Sequence, residues 1–502
     1  MLVVDLNTSF GKRVDPDPRY SPAALLQEMD RHGVACACAY SRRSVEYDPR
    51  AGNAETLDLA ASEPRIVPVG VLDLRDTPGW QRELDRCRRA GVRLIRLFPS
   101  AHGWSIESAS FRHVLQALSG SGVYPVVGGL RWPAIDPLAR LAHEHGVPLI
   151  LADVGYSNMA EAIATMDDHP HVYVETNGLA SVGAVQIMVD AVGHDRLLYG
   201  SAAPAHPMQT ALNQILEADL PDAAKAAILG GNALRLLGLS PGALAEPPGS
   251  PGPEPAGFDE EIIDINAHLG YWRYPIPDEN YDPAGMLRRV RRFGISTSIV
   301  SSYESMRYDV AAGNRKVADA IAGHPELRGY VELDPYHLEL SCAEMDRYYA
   351  LPNFVGCELE LTHIPCATGS PEVRALMAEI ARRGRPVLLK TARDNDAEAE
   401  RDLARRHADL TIIHAHAATP DWSRAMRDVP NVCIEFCWSR PSHHNLRECI
   451  DIIGPERVLF GSDQTLLSVG AAVGLYLDAR MDRRERRLVL RENARRIFGL
   501  GA

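Results

Sequence analysis

The sequence predicts an α/β protein built as two (β/α)₈ barrels in tandem, each of TIM type. Three observations carry that prediction: motifs that recur at a nearly constant spacing, eight strand-like runs per copy each followed by a helical pattern, and a Pro/Gly-rich stretch between the copies. The repeat comes first. Tyr47-Asp48 with Gly52-Asn53 reappears as Tyr308-Asp309 with Gly313-Asn314, a shift of 261 (314 − 53). Arg196-Leu-Leu-Tyr-Gly200-Ser201 matches Arg457-Val-Leu-Phe-Gly461-Ser462 at the same shift, as does Asn232-Ala-Leu-Arg against Asn493-Ala-Arg-Arg. Val4-Asp5-Leu6-Asn7 matches Ile263-Asp264-Ile265-Asn266 at 259 (264 − 5). Collinear matches of this kind indicate a duplication.

The second copy shows strand-like runs beginning near Ile262, Ser296, Leu327, Phe354, Arg385, Leu410, Asn431 and Arg457. The first copy has them near Leu2, Val34, Ile66, Val92, Val123, Val147, His171 and Arg196. Between them lie amphipathic segments. Pro371 to Gly384 is the clearest: Ser370 is the N-cap, Val373, Leu376, Met377 and Ile380 share one face, and Gly384 stops the helix. Eight βα units per copy fit a small barrel. A doubly wound sheet would have fewer strands and a Gly-rich phosphate loop, and no such loop is present. The expected domains are a first barrel over 1–239, a linker over 240–257 that is extended because of its prolines, and a second barrel over 258–502.

Length and composition agree. A chain of 502 residues exceeds one ordinary core, and 46% hydrophobic with 24% charged residues is a globular balance. The net charge of −13 and the lack of a long basic run disfavour nucleic acid and anionic membranes as partners. Nine scattered cysteines have neither zinc-knuckle nor redox spacing, so reduced thiols in a cytoplasmic, soluble protein are expected. No signal-peptide pattern follows Met1, and no apolar run is long enough to cross a bilayer.

Barrel enzymes work at the C-terminal ends of their strands. In the second copy those ends read Asp264-Ile-Asn266-Ala-His268, His414-Ala-His416 and Gly461-Ser-Asp463. With Asn314 and the Asn493-Ala-Arg-Arg-Ile-Phe ending, these segments resemble the amidohydrolase superfamily, and more closely its amidohydrolase-related branch of decarboxylases and lactonases. The resemblance runs through 261–500 and, more weakly, 2–239. It implies metal ligands at a His-x-His on strand 1, a His on strand 5 and an Asp on strand 8, with an acid/base His on strand 6. Carried over, these positions hold Asn266 and His268, Lys390, Asp463 and His416.

Two departures matter. Asn266 and Lys390 stand where the family has histidines. His268, His416 and Asp463 could still hold one divalent metal, zinc or manganese, with Asn266 or water completing the shell. Lys390 argues against it, because a protonated amine cannot donate to a metal and repels one. The alternative is a site with no metal, in which Lys390 supplies the charge and Asp463 activates water. A structural ion pair is an equal reading of Lys390, since strand 4 places Glu358 and Glu360 inside the barrel. His414 precedes His416 by two residues, so both should point the same way, about 6.6 Å apart. With Asn266, Glu358 and Glu360, it is expected to bind substrate, as are Trp272 and Arg273 in the first βα loop. His443 and His444 follow strand 7 and are either mouth residues or solvated ones.

In the first copy the equivalent positions carry Asn7 and Ser9, with Gly129 at Lys390, Asp153 at His414, Gly155 at His416 and Ala202 at Asp463. His206 and Asp153 are the polar survivors, so this barrel is expected to be non-catalytic. Family members commonly dimerise, which implies that the two barrels pack as an intramolecular pseudo-dimer, with further oligomerisation open. The expected activity is hydrolysis of a small carboxylate, amide or lactone in the second barrel. Decarboxylation, or a binding or scaffold role with both sites decayed, are the alternatives.

Overall fold

The computed structural model describes residues 1–12, 17–76, 79–130, 133–240, 242, 244, 247, 249–252, 254–272, 282–391, 397–416, 419–437 and 443–501, with only the backbone at 443–444. The chain divides into two compact units, Met1–Pro255 and Ala256–Ala502.

The first unit has strands β1 (Val3–Phe10), β2 (Val34–Ser41), β3 (Ile66–Val71), β4 (Leu94–Leu97), β5 (Tyr124–Val127), β6 (Leu149–Leu151), β7 (Val172–Glu175) and β8 (Leu197–Leu198). The second has β9 (Ile262–Leu269), β10 (Ile295–Ser302), β11 (Leu327–Glu332), β12 (Phe354–Glu360), β13 (Val387–Lys390), β14 (Ile412–His414), β15 (Val432–Phe436) and β16 (Val458–Phe460). In each unit the strands pair in sequence order, all in parallel, with helices between them. Bridges Thr8–Ala203 and Ala267–Gln464 bring the last strand back to the first. These are two (β/α)₈ barrels, as expected. Two short π-helices, Ala227–Gly231 and Leu488–Glu492, also stand 261 residues apart (488 − 227).

Parallel barrel strands are buried on both sides, which explains their apolar runs. Residues such as Ile412, Ile434 and Leu359 face the helical layer. Ile263, Ile265, Ile299, Tyr330, Leu388, Ile413 and Leu459 fill the interior, and Ala494 and Phe498 of the last helix plug it from below. In the first barrel Val4, Leu6, Leu94, Val126 and Ile150 do the same above Leu234 and Leu237. The helix Pro371–Arg383 has the expected ends: Ser370 accepts from the Val373 N–H, and Gly384 is left-handed at φ 69°.

The repeated motifs hold the fold. Asp48 and Asp309 cap helices by accepting from Ala51 N–H and Ala312 N–H. Gly52 and Gly313 lie so close to Ser44 and Ser305 that a Cβ would meet backbone nitrogen at 2.2 and 2.3 Å. Asn53 exchanges hydrogen bonds with the Val71 backbone at 2.8 and 2.9 Å, as Asn314 does with Glu332 at 2.9 and 3.1 Å. Asn493 donates to the Pro455 and Val458 carbonyls, and Asn232 donates to His194 and Leu197.

The shared Asp5 and Asp264 close the barrels. Asp264 accepts from Asn266 N–H, from Ser462 N–H and Oγ, and from Gln464 Nε2, so one buried carboxylate ties the first strand to the residues after the last. Asp5 binds Asn7 and Ser201 in the same way. The described part of the linker is not free-standing, since the Met1 amino group donates to Pro251 O at 2.7 Å and Ser250 packs on Gly33. None of the nine cysteines forms a disulfide. Among the described residues no helix is long and apolar enough to cross a membrane.

Candidate active site

The site grows from a register shift. In β9 two residues, Ile265 and Asn266, stand opposite the single Ile299 of β10. Ile265 already faces inward, and the extra residue lets His268 face inward as well. Asn266 then donates to Glu435 Oε1 at 2.7 Å. His268 is fully buried, with Nδ1 2.7 Å from Ser301 Oγ and Nε2 3.0 Å from Asp463 Oδ1. Lys390, the last residue of β13, places Nζ 2.8 Å from His268 Nε2 and 2.8 Å from Glu358 Oε1. His416 Nε2 lies 3.8 Å from Asp463 Oδ1, and its backbone N–H donates to Glu435.

Four of the expected residues are therefore brought together: His268, Lys390, His416 and Asp463, with Glu358 beneath. The alternation along β12 holds. Cys357, Leu359 and Leu361 join the outer core while Glu358 and Glu360 are buried within. Glu358 pairs with Lys390, and Glu360 accepts from the Thr362 N–H and hydroxyl.

His414 is a correction. It does not point with His416. Ile413 and Ala415 face the interior, so His414 faces the helices, where it stacks on Trp422 at 4.2 Å and lies 3.0 Å from Glu400 Oε2. Plain alternation would send His416 outward too, but its left-handed φ of 66° reverses its direction and brings it to Asp463. Asp463 is itself left-handed at φ 55°. Trp272 is buried against Tyr303, whose ring lies 4.9 Å from that of His268, and Arg307 sits over the indole. Trp272, Tyr303 and Arg307 border a cavity of about 360 Å³ that also meets Glu304, Tyr308 and Lys316. Arg273 lies outside the described residues, as do the side chains of His443 and His444.

The charges compete. Burial opposes the Lys390 ammonium, but Glu358, Asp463 and Glu360 outweigh it and push its pKa up. Burial would raise Asp463, yet the hydrogen bond to His268 and the charges of the nearby His416 and Lys390 hold it well below the carboxylate range. Burial lowers His416, and Asp463 overcomes that to raise it above its ordinary value. Two acids were missed by the sequence reading. Glu332 at the end of β11 is fully buried with neither carboxylate oxygen hydrogen-bonded, and burial beside Glu358 and Glu360 drives its pKa well up. Glu435 in β15 is likewise raised by burial. The alternation that found Glu358 would have found both, since Tyr330 and Cys433 mark the inward positions.

A divalent cation does not fit at the strand-1 position. The Lys390 ammonium lies within hydrogen-bonding distance of the His268 nitrogen that would coordinate it, and Asn266 is committed to Glu435. The ligand atoms of His416, Cys437 and Asp463 do lie within 4.8 Å of one another, a set of the type that can hold a cation. Another such set, His143, His169 and His171, flanks the start of β7 in the first unit, away from the strand ends that carry the site.

The second correction concerns the first barrel. Ala152 N–H donates to Val127 O, as Ala415 N–H donates to Leu389 O. Gly128 is therefore the counterpart of Lys390 (390 − 128 = 262), and Asp153, not Gly155, is the counterpart of His416 (416 − 153 = 263). Asp153 shares the left-handed backbone of His416, with φ 59°. Arg96 pairs with Val71 and Val126 as Glu358 pairs with Glu332 and Leu388, so it is the counterpart of Glu358.

The amidohydrolase family model matches the chain twice, over 6–239 and 263–500. The chain belongs to the amidohydrolase family. Its duplication is thus one of two family domains. Solved structures similar in fold include a 2,6-dihydroxybenzoate decarboxylase complexed with 2,6-dihydroxybenzoate, at 16% identity and TM-score 0.39, covering 48% of this chain and 100% of that one. They also include a 5-carboxyvanillate decarboxylase from Sphingomonas paucimobilis, at 16% identity and TM-score 0.39, covering 48% and 99%. A candidate 2-pyrone-4,6-dicarboxylic acid hydrolase from Pseudomonas putida shows 20% identity and TM-score 0.41, covering 48% and 98%. Each corresponds in length to one barrel of this amidohydrolase. A comparison with curated protein sequences finds no match.

Proposed function

We propose that this amidohydrolase is a hydrolase of a small carboxylate-bearing lactone, ester or amide, and that its second barrel works without a metal. The observation that carries the reading is Lys390, whose ammonium stands between His268 and Glu358 at the strand ends. There it supplies the positive charge that a metal would supply, polarising the substrate carbonyl and stabilising the oxyanion formed on it. Asp463 is too acidic to be a strong base, so the proton of the attacking water passes to His416, and Asp463 stabilises the resulting imidazolium. His416 then returns the proton to the leaving oxygen or nitrogen as the carbonyl–heteroatom bond breaks. The first barrel does not catalyse.

One observation favours decarboxylation as a second reading. Asp463 raises the pKa of His416 above its ordinary value, which favours the imidazolium form, and an imidazolium can protonate a carbanionic carbon.

The test is a panel of small carboxylated lactones, aryl esters and anilides followed by pH-stat on chelator-dialysed protein, with carbon dioxide release measured in parallel on aromatic acids. Hydrolysis that survives chelation and falls by about 10²-fold or more in Lys390→Met and His416→Ala supports the proposal. Activity abolished by chelator and restored by zinc or manganese overturns its metal-free part. Carbon dioxide release without hydrolysis selects the second reading.

A further inference from the structure

The interior charges of the two barrels are inverted. Where the second barrel has Glu332, Glu358 and Glu360, the corresponding residues of the first are Val71, Arg96 and Phe98. Lys390 is replaced by Gly128, and the space beside it is taken by Asp153, whose Oδ2 would lie 2.2 Å from a Cβ on that glycine. An acid with a facing lysine has become an arginine with a facing aspartate.

Arg96 is only 5% exposed. Leu94 two residues earlier faces the interior and Ile95 faces the helices, so Arg96 points inward at the strand end. Its guanidinium lies 3.8 Å from Asp153 Oδ2, too far for a hydrogen bond, and its buried Nε has no partner. Among the described residues no hydrogen bond of the guanidinium is present. The rings of Tyr40 and Phe98 lie 5.9 and 5.4 Å from its Cζ and fix it from the side. Nearby, Glu175 is pushed up to about 8 by burial, so below that pH it adds no competing charge. A guanidinium with five donors held in this way matches a planar carboxylate. Asp153 is half-exposed, and its carboxylate would repel a simple anion but accept from a donor carried on the same ligand.

We propose that the first barrel is a binding site for a small hydroxy- or amino-carboxylate, with Arg96 taking the carboxylate and Asp153 the hydroxyl or ammonium. It is a second ligand site in the chain, separate from the one in the second barrel.

Calorimetric titration of the full chain with 3-hydroxybenzoate and with benzoate tests this, using Lys390→Met to silence the second site. The Lys390→Met protein should bind 3-hydroxybenzoate saturably and more tightly than benzoate. Arg96→Met on that background should weaken binding by about tenfold or more, and Arg96→Lys, which keeps the charge but loses the fork, should fall between. Asp153→Asn should bind benzoate more tightly and lose the preference for the hydroxylated acid, which a purely structural ion pair would not produce. Binding unchanged within twofold in both Arg96 variants overturns the proposal. So does the lack of saturable binding of either acid up to about 10 mM in the Lys390→Met protein.

Discussion

Lys390 Nζ and His268 Nε2 stand 2.8 Å apart, with Asp463 Oδ1 3.0 Å from the same ring nitrogen. A neutral imidazole nitrogen can accept from the lysine or donate to the aspartate, but not both. A doubly protonated ring would face the ammonium directly. One of the two contacts is always unmet, which leaves polar capacity at the strand ends for a substrate oxygen.

Removing the lysine should expose how much of its role is structural. Lys390→Met leaves Glu358 buried beside Glu332 and Glu360 without its counter-ion, at a cost of about 3–5 kcal/mol. Adding Glu358→Gln should recover most of that loss in denaturant titrations. If the double variant is no more stable than the single one, the pair is not the source of the penalty.

Restoring the family histidines should create a metal site. The double change Asn266→His with Lys390→His removes the ammonium and adds two donors to His268 and Asp463. Elemental analysis after zinc or manganese loading and gel filtration should find about one ion per chain in the double variant, and less in the parent.

His416→Gly separates geometry from chemistry. The left-handed backbone at φ 66° is costly for any residue with a Cβ and free for glycine. Stability should hold or rise by about 1 kcal/mol while activity is lost. A large loss of stability would mean that the His416–Asp463 contact holds the loop in place.

Stability should decline as pH rises. Burial raises Asp5 to about 6, Asp264 to about 7 and Glu175 to about 8. A carboxyl whose folded pKa exceeds its unfolded value favours folding most when protonated. Its contribution is therefore complete below about pH 4 and lost as pH climbs through the folded values, up to about 8. Denaturation midpoints between those limits should fall, and Asp264→Asn should flatten part of the slope. An unchanged slope in that variant would exclude Asp264 as one of the titrating groups.

Much of this was legible in the sequence, for identifiable reasons. Strand starts were found to within about two residues because parallel strands buried on both faces leave unbroken apolar runs. Glu358 and Glu360 were placed correctly because β12 keeps strict alternation up to its end. His414 was misplaced because alternation was carried past the end of β14, through a residue whose backbone is left-handed. Gly128 was missed, and Asp153 was set against His414 instead of His416, because the copies drift, from an offset of 259 at the first strand to 263 at the sixth, and a fixed offset lands on the wrong residue. Glu332 and Glu435 lie outside the family's histidine pattern and are legible only from the inward face of β11 and β15.

The carboxylate that ties first strand to last is present in both barrels, although only one of them keeps the His268–Lys390–Asp463 cluster. Closure and catalysis are therefore separable demands on the chain. Asp5 holds the seam of a barrel whose mouth has been rebuilt around Arg96 and Asp153, so the rim was open to change as long as the seam stayed shut. A duplicated domain of this design can lose one chemistry without losing its shape, and that leaves its mouth available for another ligand.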